Sequence, residues 1–128
     1  IRNNLRLTGS KLGCAQEQCG ACTVLIDGES TNSCVRAASE FQDKEIITIE
    51  GLSNDGSLTE IQEAFEKEGA AQCGYCTAGI IIATTALFMK NSAPSRQEVQ
   101  VALNDHLCRC GAQPRVLKAI ERLITGGG

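Results

Sequence analysis

Eight cysteines in 128 residues fall into two groups of four, and this arrangement limits what the chain can fold into more than any other feature. Cys14, Cys19 and Cys22 follow a C-x4-C-x2-C spacing, and Cys34 stands twelve positions after Cys22. Cys73-Gly74-Tyr75-Cys76 forms a C-x2-C pair, and Cys108-Arg109-Cys110 forms a C-x-C pair. No cysteine is left over. The fold must therefore close one set of four thiols within its first third, and draw two distant pairs together in the remainder.

Three thiolates on one short loop, with a fourth returning from nearby, match the plant-type spacing for a 2Fe–2S cluster. Short gaps let one loop wrap the cluster and aim backbone N–H groups at the sulfurs. Such donors stabilise the more negative, reduced form. Gly13 and Gly20 suit a backbone that must come close without a Cβ clash. The second set, Cys73, Cys76, Cys108 and Cys110, is the donor set for a further four-thiolate centre. A second 2Fe–2S cluster fits it, and structural zinc is the rival occupant.

The cysteines are clumped on short loops, and their density lies below that of a small disulfide scaffold, about 8–10%. Both facts argue against a disulfide framework. A net charge of −3 without basic clusters argues against nucleic-acid or membrane-surface binding. The longest apolar run, Gly79 to Met89, is interrupted by Thr84 and Thr85. It falls short of the roughly 20 residues that span a bilayer. Apolar content of 42% supports a real core. No combination of acid, base and nucleophile stands out, so no residue is expected to be catalytic.

Taken in order, Ile1–Leu7 has apolar residues at 1, 5 and 7 and is expected to end a short helix. Val24, Leu25 and Ile26 form a strand, Asp27-Gly28 marks a hairpin, and the return strand should run from about Ser30 to Val35 and carry Cys34. Another strand is expected at Glu45–Ile49. After the turn Asn54-Asp55-Gly56 the period changes. Ser57 to Glu60 reads as a capping box, with Ile61, Ala64 and Phe65 at helical spacing and Gly69 as a C-cap. A second, buried helix should span about Ala78–Met89. Ser95 to Glu98 caps a third helix bearing Val99, Ala102 and Leu103. Pro114 opens a fourth, whose stripe is Val116, Leu117, Ile120, Leu123 and Ile124 and which ends at Gly126–Gly128. One cysteine pair precedes helix two and the other lies between helices three and four. Alternate loops of an antiparallel bundle share an end, so the two pairs can meet.

The segments Cys14 to Cys22 with Ser33-Cys34, Ala71 to Cys76 and Leu107 to Gly111 resemble the iron–sulfur small subunit of molybdenum hydroxylases, the xanthine oxidase and aldehyde oxidoreductase family. Thr48 to Leu52 and Gln62 to Phe65 extend the likeness over nearly the whole chain. The forms around Cys19–Cys22 and Cys108–Gly111 look most like the isoquinoline oxidoreductase, nicotinate dehydrogenase and bacterial aldehyde dehydrogenase branch. The resemblance implies an α+β fold. Residues 1–53 would form a β-grasp, plant-type ferredoxin domain lacking its first strands, and residues 54–128 a four-helix bundle 2Fe–2S domain. It implies two 2Fe–2S clusters, one on Cys14, Cys19, Cys22 and Cys34, the other on Cys73, Cys76, Cys108 and Cys110. The second would lie nearer a molybdopterin (molybdenum) cofactor held mainly by a partner, with Gln72 and Cys110 as pterin contacts.

By the same resemblance the chain is an electron-transfer subunit. Its partners would be a large molybdopterin-binding catalytic subunit and, as acceptor, an FAD subunit or a cytochrome c subunit. The substrate would be an aldehyde or an aromatic N-heterocycle. The expected location is cytoplasmic, with a periplasm-facing site beside a membrane cytochrome as the alternative. The rival function is a free-standing one-cluster ferredoxin with a structural zinc bundle. The chain departs from the family pattern at Ala15 and Glu17, where relatives have glycines, and at Asp105-His106, where Gly-Asn is usual. It departs also at Thr77-Ala78, usually Thr-Pro, and after Cys110. A lone histidine cannot make a Rieske site, so His106 reads as a polar loop residue near the cofactor face. The Glu60, Glu63, Glu66 and Glu68 series reads as a solvated helix face.

Overall fold

A computed structural model of the chain describes residues 1–53 and 55–126. Strand β1, Val24–Ile26, is wholly buried and lies in the centre of a three-stranded sheet of order β2-β1-β3. Strand β2, Glu29–Thr31, pairs antiparallel with it, Val24 opposite Thr31. Strand β3, Ile46–Ile47, pairs antiparallel along the other edge, Leu25 opposite Ile47. The β1–β2 hairpin turns where expected: Asp27 and Gly28 take φ of 50° and 85°, the left-handed pair that matches strand twist.

Four helices follow: α1, Glu60–Lys67; α2, Thr77–Lys90; α3, Arg96–Leu103; α4, Gln113–Ile124. Helix α1 packs on α4 and α2 packs on α3. The larger core cluster joins Phe65 of α1, Ile80 and Ile81 of α2, Val99 of α3 and Val116 and Ile120 of α4. A smaller cluster joins Ile82 and Ala86 of α2 to Leu25 of β1. Helix α2 thus serves both layers, which is why it shows no one-sided apolar stripe. Ile82 is completely buried between them, worth about 1.5–3 kcal/mol of transfer free energy. Among the described residues the fold is a small α+β arrangement of four α-helices and a three-stranded sheet. Among the described residues no helix is long and apolar enough to cross a membrane.

Several local expectations are corrected. Ile1–Leu7 is a turn, closed by the Leu7 amide on the Ile1 carbonyl at 3.2 Å; Arg6, at φ 58°, breaks the helical path. The return strand stops at Thr31 and does not carry Cys34. Asn32 leaves the ladder to donate to the Glu17 carbonyl at 3.1 Å, and the Ser33 amide turns to the Cys22 sulfur at 3.2 Å. The third strand keeps only Ile46–Ile47 of its expected span, because Ile49–Gly51 forms a 3-10 turn.

The capping box of α1 lies two residues later than expected. Thr59 Oγ1 accepts from the Gln62 amide at 3.2 Å, and Gln62 Oε1 accepts from the Thr59 amide at 2.8 Å. Ser57 is engaged by Asp55 instead, its amide donating to Oδ1 at 2.9 Å. Asn54, in the turn before it, lies outside the described residues, as do Gly127 and Gly128 at the expected end of α4. Ser95 caps α3, accepting from the Glu98 amide at 3.2 Å, and Gly69, at φ 59°, follows α1. Pro114 sits in the first turn of α4.

Candidate metal centres

The first cysteine loop, 8–22, is anchored by the Lys11 amide on the Ala21 carbonyl at 2.9 Å. Within it the backbone curls around one sulfur. Cys14 Sγ accepts from the amides of Gln16 and Gln18 at 3.2 Å each and of Cys19 at 3.3 Å. The Cys14 amide in turn points at Cys19 Sγ, 3.4 Å away. This curl needs left-handed backbone at Ala15, φ 55°, and Glu17, φ 58°, positions where a Cβ is strained. Cys22 Sγ accepts from the Ser33 amide, and Ser33 Oγ donates to the Cys22 carbonyl at 2.7 Å. That bridge carries the chain round to Cys34, whose thiol faces that of Cys22.

The electrostatics follow from these contacts. The amides of Gln18, Gln16 and Cys19 hold the Cys14 thiol down to about 7. Burial pushes Cys22 up, with the neighbouring Cys34 thiol adding to the rise. One face of the loop thus favours thiolate, and the other is dry.

In the second set, Cys76 stands at the N-terminal end of α2 and Cys73 on the turn before it. Cys108 and Cys110 lie on the link between α3 and α4. Cys73 faces Cys110, and Cys76 faces Cys108. Burial, and then donation to Cys108, pushes the Cys76 thiol up to about 11. Burial opposes ionisation of Cys108 too, but the Ala112 amide, at 3.5 Å from its sulfur, and the Cys76 thiol bring it below the usual thiol range. The Tyr75 amide, 3.5 Å from the Cys73 sulfur, lowers that thiol. Gln72 is exposed on the turn beside Cys73, and Cys110 is half-buried.

Both sets therefore arrive as facing pairs, Cys14 with Cys19 and Cys22 with Cys34, then Cys73 with Cys110 and Cys76 with Cys108. All eight are free thiols. Among the described residues no group of three or more cysteine, histidine or carboxylate side chains is arranged to hold a single metal ion. Two facing pairs suit a two-iron cluster, in which each iron takes two thiolates. Amides aimed at the sulfurs are the partners that its negative charge requires. The residues fit the group.

The two sets are neighbours. A cavity of about 450 Å3 is lined by Cys19 and Ala21 on one side and by Cys73, Cys76 and Cys108 on the other. The Leu107 amide donates to the Cys19 carbonyl at 3.0 Å, and the Tyr75 hydroxyl donates to the Leu12 carbonyl. A Cβ on Gly79 of α2 would collide with the Gly20 carbonyl oxygen, and a Cβ on Gly20 would strike the His106 ring. His106 is the residue that the sequence undervalued. It packs against the first loop, its Nδ1 is buried without a hydrogen-bond partner, and burial pulls the imidazole below its usual range. Its place two positions before Cys108 and the departure from the family's Gly-Asn at Asp105-His106 were the signals available.

Two family models match the chain: one described as a [2Fe-2S] binding domain over residues 48–121, the other as a 2Fe-2S iron-sulfur cluster binding domain over residues 8–60. The nicotine 6-hydroxylase small subunit of Paenarthrobacter nicotinovorans is 44% identical over 94% of this chain and 72% of its own length. The nicotinate dehydrogenase small FeS subunit of Eubacterium barkeri is 39% identical over 97% of this chain and 79% of its own. Among solved structures, quinoline 2-oxidoreductase from Pseudomonas putida 86 superposes with a TM-score of 0.88 at 39% identity, covering 98% of this chain and 81% of that one. The aldehyde oxidoreductase of Desulfovibrio gigas gives 0.89 at 36% identity, covering 99% of this chain and 15% of that much longer one.

Proposed function

Because the chain belongs to the family of 2Fe–2S iron–sulfur small subunits of the molybdenum hydroxylases, we propose that it is the electron-transfer subunit of such an enzyme and performs no bond chemistry itself. The observation that carries this reading is the cavity on which Cys19 meets Cys73, Cys76 and Cys108, spanned by the Leu107–Cys19 hydrogen bond. In this reading Cys14, Cys19, Cys22 and Cys34 hold one 2Fe–2S cluster, and Cys73, Cys76, Cys108 and Cys110 hold another. When bound, the clusters supply one-electron chemistry, so a two-electron oxidation elsewhere can be drained in single steps.

The chain's own part is placement. Backbone amides around Cys14 and Cys22 stabilise negative charge on the first set. The Leu107–Cys19 bridge holds a short bonded route between Cys19 and Cys108, one residue beyond Leu107. Residues 1–53 form a ferredoxin-like unit of β-grasp type and residues 54–128 a four-helix cluster unit, packed together through Leu25 and Ile82.

The partner is a large catalytic subunit that holds the molybdopterin cofactor, with exposed Gln72 and neighbouring Cys110 as the pterin contacts on this side. Electrons leave toward an FAD subunit or a cytochrome c subunit. The substrate is an aldehyde or an aromatic N-heterocycle, in keeping with the names borne by the relatives. The cytoplasm is the proposed compartment. Replacement Cys110→Ser tests this reading: it should abolish the spectroscopic signal of the second set and turnover with the natural acceptor, leaving the first-set signal in place. Unchanged turnover would contradict it.

A further inference from the structure

The peptide at Gly20 lies at the point where the two cysteine sets approach each other. Its carbonyl accepts from the Thr23 amide at 3.1 Å and from Thr23 Oγ1 at 2.7 Å, so its orientation is fixed. Beneath it is Gly79 of α2, where no side chain fits. Above it is the ring of His106: a Cβ on Gly20 would stand 2.8 Å from His106 Cε1 and 2.9 Å from the Asp105 carbonyl oxygen. The His106 amide donates to the Leu103 carbonyl at 3.0 Å, tying the ring to the end of α3. The next residue, Leu107, makes the hydrogen bond to Cys19, and the one after that is Cys108.

His106 is thus the side chain wedged between a loop that bears Cys19 and Cys22 and a link that bears Cys108 and Cys110. Its Nδ1 is buried with no hydrogen-bond partner. An unpaired buried ring nitrogen costs stability that an apolar side chain of similar size would avoid. The ring is therefore held by the segments it packs between and not by a hydrogen bond to its Nδ1.

We propose that His106 is a positioning residue that sets the spacing and relative orientation of the two cysteine sets, and so of the two redox centres that they hold. The proposal rests on the two-cluster reading above. Removing the ring takes away the contact that holds the Gly20 peptide off the 105–110 link, and the surroundings relax in part into the space left. In the transfer step one centre is oxidised by one electron while the other is reduced by one. No bond is made or broken, and His106 neither gives nor takes a proton.

The test uses the cluster-loaded chain in its complex, fully reduced, with iron quantified on each sample. At the lowest temperatures the two paramagnetic centres split one another's EPR signals, and the splitting depends on their separation and orientation. His106→Ala with full iron should change that splitting by more than its spread between wild-type preparations, while leaving each centre's midpoint potential near its wild-type value. His106→Gln, which keeps reach and planarity, should bring it back toward wild type. If His106→Ala does not load both sites, His106→Ser, which also removes the ring, replaces it under the same criterion. Wild-type splitting in a fully loaded variant would overturn the proposal and leave the two-cluster reading intact. A wild-type complex that shows a single signal would overturn both.

Discussion

The Leu107 amide donates to the Cys19 carbonyl at 3.0 Å, so a residue adjacent to one member of the second cysteine set is bonded to a member of the first. Near that bond the backbones of the two halves touch. Gly79 lies against the Gly20 carbonyl with no room for a side chain.

Gly79→Ala tests that contact. At an ordinary helix position the change would stabilise by about 0.5–1 kcal/mol. Here the new Cβ meets backbone, which cannot rotate away, so the expected result has the opposite sign: a loss of roughly 1–3 kcal/mol. Thermal unfolding of the loaded chain together with iron content checks it. A Gly79→Ala chain as stable as wild type would mean that the two halves are not in register as described.

Ala15→Gly should go the other way. Ala15 sits at φ 55° to let the loop curl round Cys14 Sγ, and left-handed backbone costs a non-glycine residue about 1–2 kcal/mol. Glycine removes that strain but adds about 0.5–1 kcal/mol of chain entropy to be lost on folding. The expected net effect is a gain of up to about 1 kcal/mol by urea unfolding. A clear loss would show that the Ala15 side chain has a role that the loop geometry does not reveal.

Glu50 anchors the start of the cysteine loop, its Oε2 accepting from the Gly9 amide at 2.8 Å. Burial raises its carboxyl, but the Gly9 amide, Glu50's own backbone, Thr48 and Lys11 outweigh this and hold it below the usual range. A depressed folded pKa contributes stability above the unfolded value, near 4.3, and loses it as pH falls through the folded value. Glu50→Ala should therefore cost about 0.5–1 kcal/mol near pH 7, discounted for solvent exposure. The gap to wild type should close as pH falls below about 4. Urea unfolding followed by far-UV circular dichroism measures it; a gap that widens toward acid contradicts the assignment.

What could be read from residues alone was whatever rests on local spacing. Asp27-Gly28 announces its own turn, because few other pairs accept two left-handed residues in succession. Helix α2 was visible in its apolar run and α4 in its stripe with Pro114. The grouping of the cysteines followed from spacing and from the alternation of helix connections. What could not be read depended on competition for hydrogen bonds. Asn32 and Ser33 abandon the strand for Glu17 and Cys22, which strands Cys34 beyond β2. Thr59 wins the cap from Ser57 because Asp55 holds Ser57. The place of His106 over Gly20 is a long-range contact, and nothing in the neighbourhood of either residue encodes it.

Low-temperature EPR of the dithionite-reduced complex, with iron, zinc and molybdenum quantified on the same sample, reads out directly whether the two four-cysteine sets hold two 2Fe–2S centres. Two distinct 2Fe–2S signals, about four irons per chain, no zinc, and molybdenum copurifying in the complex are expected. One signal with about two irons and one zinc per chain would contradict it, and would assign the helical half to a structural metal.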